Sequence, residues 1–429
     1  MLFRFSLYGF LKNQRYFEPF LVLAFLQMGL SFFEIGLLLG FRELAVNVIE
    51  IPSGAIADLY GYRKSMMLSF VAYILGFLTL GFAREFAPLL LAMLFLAVGD
   101  AFRTGTHKAM IFTWLRINDR SDERTQVYGY TRSWSKIGSA VSAIAAAIFV
   151  LLANSYTLVF FFAVVPYALN LVNFLGYPEE LEGERSESSP SPREVMRHMN
   201  RALSDSLRRS GLRRLMFESM GFEGVFHAVK DYLQPVVALA AVAAASRYSF
   251  SEDLSEVQQS ALLVGPVYLV LHLLSSVASR NVHRIVDRVG SEENTSHWMW
   301  GASIAVFALL FVAGLVGVSA ALIVTFMVLF VLQDAWRPVL ISRFDEHSTE
   351  AQGAIILSIE SQSRRFATML LAPVIGLAID ATRGDEMRSG DFWPIGLIGI
   401  AVGLLFFFTA PRRGTAAVPA ASETSVASS

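Results

Sequence analysis

The sequence predicts an all-α polytopic membrane protein with twelve transmembrane helices, arranged as two six-helix bundles related by pseudo-symmetry. Three observations carry that expectation. The chain of 429 residues is 54% hydrophobic, holds 35 Phe and is only 17% charged, where a soluble protein would carry about 25%. Apolar runs long enough to cross a hydrocarbon core ~30 Å thick recur from end to end. Short fragments of the first half also return, in order, in the second. The first long run, from Phe17 to Leu39, is followed by many others, so it is not a cleavable leader ahead of a soluble domain. With no Cys, disulfides and thiolate metal sites are excluded. A net charge of −1 without a basic domain gives no reason to expect a nucleic-acid partner.

Taken in order, runs able to span begin near Phe17, Leu44, Ser65, Pro88, Gly129 and Leu158, and then near Leu215, Ser260, Trp298, Ala320, Ile355 and Trp393. The expected organisation is a first bundle over 1–176, a linker over 177–214, a second bundle over 215–410 and a polar tail over 411–429. The linker opens acidic and turns basic from Arg193. Within it Met196, Met199, Leu203 and Leu207 recur at helical spacing opposite Arg197, Arg201 and Arg208. That pattern suits an amphipathic helix on an anionic leaflet or a solvated linker helix.

Lys and Arg distribution sets orientation. Arg4, Lys12 and Arg15 precede the first expected span, and Arg63 and Lys64 follow the second. Arg116, Arg120 and Arg124 follow the fourth, Arg284 and Arg288 the eighth, Arg343 the tenth, and Arg412 and Arg413 the last. The opposite loops are short or acidic, as at 249–256. Both termini and the linker are therefore expected on the cytoplasmic side, in a bacterial inner (plasma) membrane.

The internal repeat rests on three matches. "FEPF" at 17–20 meets "FESM" at 217–220, and Asp58-Leu-Tyr-Gly61 meets Asp287-Arg-Val-Gly290. "GDAFR" at 99–103 meets "QDAWR" at 333–337. Together, on equivalent spans, they argue for duplication, and two parallel six-span halves around a central cavity are a transporter architecture.

The stretch Gly54-Ala-Ile-Ala-Asp58-Leu-Tyr-Gly61-Tyr-Arg63-Lys64 resembles the signature loop of the major facilitator superfamily, Gly-x-x-x-Asp-x-x-Gly-x-Arg-Lys between spans two and three. The resemblance covers nearly the whole chain and implies that family's fold. It also implies a gate: the glycines let helices approach closely, and Asp58 holds the cytoplasmic ends of the halves together by charge pairing. Asp287 and Gly290 form the worn second copy, with His283 where the first glycine would stand. Two features depart from familiar subgroups. No arginine stands near Met93 in the fourth span, and the fifth span has small residues Gly138, Ser142 and Ala146 instead of the antiporter Gly-Pro.

Charges inside spans cost at least ~2.5–3.5 kcal/mol each at the bilayer centre, so they must face one another or water. Asp100, Arg103 and His107 are spaced to share one helix face, and Asp334 and Arg337 repeat the first pair. The seventh span adds Glu223, His227 and Lys230, which also share a face, beside Asp231. Glu34 and Glu50 occupy the first two spans, and Glu360 enters the eleventh. These residues are the candidates for solute contact or proton coupling in a polar cavity between the halves. Each also has a bland reading as a self-neutralising pair or a satisfied buried group. Arg364 and Arg365 are candidate partners for Asp58 at the gate.

No phosphate-binding Gly-Lys-Ser/Thr loop, zinc-protease motif or nucleophile elbow occurs, so neither enzymatic activity nor a cofactor or metal is expected. The resulting expectation is a monomeric secondary transporter with a small-molecule solute and protons as partners. It would move a small polar or amphipathic solute by rocker-switch alternating access, in proton-coupled efflux. A proton-linked importer of an organic ion is the alternative, and a non-transporting sensor or scaffold is the third reading.

Overall fold

The computed structural model describes residues 1–182, 207–247, 253–345 and 353–409 and the single positions 197 and 204; the side chains of residues 51, 55, 58, 59 and 353–355 are not among those described. Every regular element among the described residues is helical. The expected linker amphipathic helix and the polar tail fall almost wholly outside them.

In the first half, α1 (Leu2–Leu11) and α2 (Leu21–Gln27) are joined by a short irregular stretch and a 3-10 turn, Glu18–Phe20. Next come α3 (Phe32–Tyr60), α4 (Tyr62–Phe82), α5 (Phe86–Arg103), α6 (Thr106–Ile117), α7 (Arg124–Ala153) and α8 (Leu158–Leu175). The second half opens with α9 (Ser210–Ser219), a π-helical turn (Met220–Gly224), α10 (Val225–Val229) and α11 (Leu233–Arg247). It continues with α12 (Glu256–Val289), α13 (Glu292–Val316), α14 (Ser319–Asp345), α15 (Gly353–Thr382) and α16 (Trp393–Thr409). Ten helical segments among the described residues are long and apolar enough to cross a bilayer. The charged α3 and the broken α1–α2 pair complete twelve crossings.

The first two spans differ from expectation. The chain turns at 28–31 rather than near residue 40, with Gly29 in the left-handed region at φ +89°. Ser31 then caps α3: its Oγ accepts from the Glu34 N–H at 3.2 Å, and the Glu34 carboxylate accepts from the Ser31 N–H at 2.8 Å. This reciprocal capping box fixes a helix start that hydropathy alone reads through. The first span therefore runs from Leu2 to Gln27, with Arg4, Lys12 and Arg15 inside it instead of before it. The break at its middle is local: Asn13 turns its side-chain amide back to the Gly9 carbonyl (2.7 Å), and Pro19 opens the 3-10 turn.

The halves meet along α3 against α15 and α7 against α12. The α3–α15 crossing is very close: a Cβ on Gly36 would lie 2.4 Å from the Ala372 carbonyl oxygen, and one on Gly376 2.2 Å from that of Phe32. Only glycine permits two backbones this near. Asp380 of α15 accepts from the Phe32 and Phe33 amides at 3.1 and 2.7 Å, satisfying donors that the start of α3 leaves unpaired. At the same end Gln234 of α11 accepts from the Val22 amide (2.8 Å) and Gln258 of α12 donates to the Leu151 carbonyl (2.9 Å). These contacts close one end of the molecule, the end bearing residues 28–31 and 383–388.

Candidate functional site

Behind that closed end, both halves line a central cavity of about 580 Å³. The first half contributes Arg15 and Glu18, Arg42 and Glu43 of α3, Asp100 and Arg103 of α5, and Lys136 of α7. The second contributes His227 of α10, Lys230 and Asp231, His272 of α12, Gln333 and Asp334 of α14, and Arg364 and Arg365 of α15. A wall this charged can lie within a bilayer only because its members neutralise one another or meet water.

On the first half, Asp100 is the centre. Arg42 reaches it at 2.5 Å, Arg103 at 3.0 Å from one turn along its own helix, and the Tyr73 hydroxyl donates to it. Arg103 also donates to the Tyr73 oxygen (3.1 Å). One carboxylate thus holds two guanidinium groups, so this cluster keeps a net positive charge beside the cavity. Arg15 sits 3.6 Å from Glu18, and Lys230 lies 3.0 Å from Asp231.

Across the interface Arg365 pairs with Glu43 at 2.9 Å and lies 3.8 Å from Glu50. Its neighbour Arg364 contacts His227 Nε2 at 2.8 Å. Neither arginine reaches the level of Asp58. The α3–α15 register pairs Gly40 with Met369, Glu43 with Arg365 and Asn47 with Gln362, so Arg364 is level with residues 44–45 of α3. Asp58 lies some 14 residues further on, about 20 Å at 1.5 Å per residue. The expected gate pairing with Arg364 or Arg365 is therefore corrected: both belong to the cavity. The side chain of Asp58 itself is outside the described residues.

The remaining signature residues have local roles. Gly54 is exposed, and a Cβ there would meet nothing within 4 Å, so close helix approach does not occur at that position. Gly61 makes the α3–α4 corner at φ +99°. Arg63 donates to the Phe174 and Leu175 carbonyls at 3.1 and 3.0 Å, satisfying the last acceptors of α8. Lys64 is exposed. In the second copy Asp287 is exposed, and Gly290 ends α12 in the left-handed conformation at φ +88°.

Behind the cavity wall of the second half is a buried network. The π-helical turn at Met220–Gly224 sets Glu223 inward, fully buried; such bulges often occur at functional positions. Arg337 grips Glu360 through two hydrogen bonds of 2.7 and 3.0 Å, and Ser219 donates to the same carboxylate at 2.6 Å. Glu223 is held more loosely: Arg337 stands 3.6 Å away, the Gln333 amide 3.3 Å and His227 3.8 Å.

Several expected cavity residues are placed elsewhere. Glu34 is the α3 cap at the closed end. Glu50 lies at the α3–α15 interface against Arg365. Glu223, Arg337 and Glu360 lie behind the wall, leaving His227 and Lys230 of the seventh-span group on it. His107 does not share a face with Asp100, because the helix breaks at Thr104 and Gly105, the latter at φ +76°. Its ring packs 3.9 Å from that of Tyr8, with Nε2 3.5 Å from the Tyr177 hydroxyl. Sequence reasoning missed Arg42 and Glu43, because it placed a loop between spans where α3 runs unbroken. It also missed Arg15, Glu18, Lys136 and His272 as cavity residues. The polar spacing from Ser31 to Glu34 was the available signal for the true helix start.

The family model of the major facilitator superfamily matches residues 10–361, and the chain belongs to that family. It is accordingly an integral membrane protein of the secondary-transporter class, as the signature loop implied. A curated relative, the uncharacterized MFS-type transporter YxaM of Bacillus subtilis (strain 168), is 32% identical over 99 residues, which is 23% of this chain and 24% of that protein. The aligned region is thus only about a quarter of the relative's length. The crystal structure of the nucleoside transporter NupG superposes with a TM-score of 0.72 at 12% identity, over 95% of this chain and 97% of that one. A POT family transporter in complex with 5-aminolevulinic acid gives 0.68 at 14% identity, over 96% and 95%. A bacterial homolog of the human lysosomal transporter Spinster, inward-facing and unoccupied, gives 0.66 at 13%, over 95% and 93%. At these identities the likeness is one of fold.

Proposed function

We propose that this protein moves a small zwitterionic solute by rocker-switch alternating access, coupled to protons, with export as the net vector. One observation carries the choice of solute. Among the described residues lining the cavity, Asp334 on the second half has no ion-pair partner within 4 Å, and neither do the cations Lys136 on the first half and Arg364, the latter 2.8 Å from His227 instead, while Arg15, Arg42, Arg103, Lys230 and Arg365 each have one. A solute with an anionic and a cationic end would satisfy Lys136 and Asp334 and draw the halves together.

For coupling, the candidate is Glu223. It is fully buried, yet its nearest guanidinium is committed to Glu360, and His227 stands between it and the cavity. It is therefore the buried carboxylate of this network least committed to a cation. The open end is assigned to the cytoplasm because Arg63, Arg116 and Arg284 gather there, so the described state would load solute from inside. Both termini would then be cytoplasmic.

The test is counterflow and gradient-driven transport in proteoliposomes, using a zwitterion found by thermal-shift screening of amino acids and short peptides. Lys136→Gln and Asp334→Asn should each reduce counterflow at least tenfold. Glu223→Gln should keep counterflow but lose the response to a pH gradient. Uptake driven by an inward proton gradient would overturn the export vector, and undiminished counterflow in both cavity variants would overturn the zwitterion reading.

A further inference from the structure

A second cavity, of about 370 Å³, lies wholly within the first half, between α1, α6 and α7. It meets the central cavity at Lys136 and Ser139, which line both. Its charged lining is of one sign. Lys12, Arg132 and Lys136 point into it, and no carboxylate does. Among the described residues no carboxylate oxygen lies within 4 Å of any of these three cations, whereas five of the cations around the central cavity are paired. The Lys12 ammonium rests instead 5.5 Å above the Tyr8 ring.

Such an arrangement works against folding. Arg132 and Lys136 are four residues apart on α7, and like charges at that spacing repel by a few tenths of a kcal/mol; Lys12 adds a third. Around the central cavity, by contrast, this chain supplies a carboxylate within 4 Å for Arg15, Arg42, Arg103, Lys230 and Arg365. Here it supplies neutral donors, Ser135 and Asn13, and an aromatic wall of Phe5, Tyr8 and Tyr128. Three cations, neutral hydrogen-bond donors and an aromatic face are complementary to an oxyanion attached to an apolar or aromatic body.

We infer that this side pocket is an anion-binding site for an organic phosphate or carboxylate, an antechamber from which the anionic group passes to Lys136 and the central cavity. Its use as an antechamber rests on the transport reading above; its affinity for an oxyanion does not. The same chemistry is offered by a free anionic solute and by the phosphate of an anionic lipid.

The experiment uses the purified full chain at low ionic strength, where screening is weak. Phenyl phosphate is the probe, phenol is the uncharged control, and binding is read by calorimetry and thermal shift. Phenyl phosphate should bind and phenol should not. Lys12→Gln and Arg132→Gln should each weaken binding about fivefold, and the double variant at least tenfold. Lys12→Arg should retain binding, showing that the loss is of charge and not of fold. Nanodiscs of phosphatidylglycerol and of phosphatidylcholine distinguish the sources. If phosphatidylglycerol alone stabilises the protein, displaces phenyl phosphate and loses its effect in the double variant, the site stands and its occupant is a lipid phosphate. If phosphatidylglycerol leaves phenyl phosphate binding unchanged, the site stands and takes a free solute. Equal binding by the wild type and the double variant, or stabilisation by neither phosphate source, overturns the inference. Because the variants lie outside the central cavity and the readout is binding, failure of the zwitterion transport assay leaves this result readable, and the reverse holds.

Discussion

The fourth and tenth spans carry the same motif, Gly-Asp-Ala-Phe-Arg at 99–103 and Gln-Asp-Ala-Trp-Arg at 333–337, yet they use it in opposite ways. In the first half the aspartate is the acceptor of a closed cluster: Asp100 takes Arg42, Arg103 and Tyr73. In the second half the arginine is taken away from its aspartate. Arg337 turns to Glu360 and Glu223, and Asp334 is left facing the cavity. The cause lies outside the motif. The first half supplies an extra cation from α3, Arg42, and the second supplies an extra carboxylate from α15, Glu360. A duplicated pair of charges therefore becomes structural on one side and available on the other, according to which neighbour arrived.

The sharpest way to break this comparison is to neutralise each aspartate in turn. Asp100→Asn leaves two guanidinium groups without their shared carboxylate, and removing one partner of a buried pair costs about 3–5 kcal/mol. Thermal unfolding in detergent should show that loss, together with poor recovery of folded protein. Asp334→Asn removes a charge with no ion pair within 4 Å and leaves an amide that can still meet the Ser275 hydroxyl, so stability should hold within about 0.5 kcal/mol, the range of substitutions away from such features. Equal destabilisation of the two variants would show that the motif copies are equivalent after all.

A smaller effect is expected at the other acceptor. Glu360→Gln weakens two charge-assisted hydrogen bonds to Arg337, and such bonds contribute about 1.5–3 kcal/mol. Arg337 retains Glu223 as a fallback at 3.6 Å, so the loss should fall at the low end of that range. The double variant with Glu223→Gln should lose more than the sum of the single variants, because it leaves the arginine with no carboxylate. Strict additivity in that cycle would show that Glu223 and Glu360 do not share Arg337.

Much of this was legible in the sequence, for reasons that can be named. Membrane insertion writes itself in hydropathy, so the helical class and the duplicated halves were readable. The signature at Gly54–Lys64 is a local pattern, and the family it resembles is the one whose model matches, although Gly54 has no close helix neighbour. What escaped reading depended on partners distant in sequence. Nothing around Asp334 indicates that Glu360 will claim Arg337, and nothing around Arg365 shows that it faces Glu43 across 322 positions. The first span was misplaced because a capping box is a weaker signal than a run of apolar residues, and shifting that boundary concealed Arg42. His107 was misassigned because helical spacing holds only while the helix continues.

That last break offers the smallest test of the comparison. The fourth span stops being helical after Arg103 and resumes at Thr106, whereas the tenth continues through Arg337 and Pro338 to Asp345. At the break Gly105 has φ +76°, and a Cβ there would meet nothing within 4 Å. Gly105→Ala therefore adds no clash and costs only the left-handed backbone strain, about 1–2 kcal/mol. If the break serves to turn His107 away from the cavity and into the Tyr8 and Tyr177 nest, relieving that strain by a straighter helix would draw the imidazole back toward the Asp100 face. A one-dimensional or site-labelled NMR titration of His107 in the Gly105→Ala variant would then shift from that of the wild type. An unchanged histidine titration with the same small loss of stability would mean that the nest, and not the glycine, holds the ring in place.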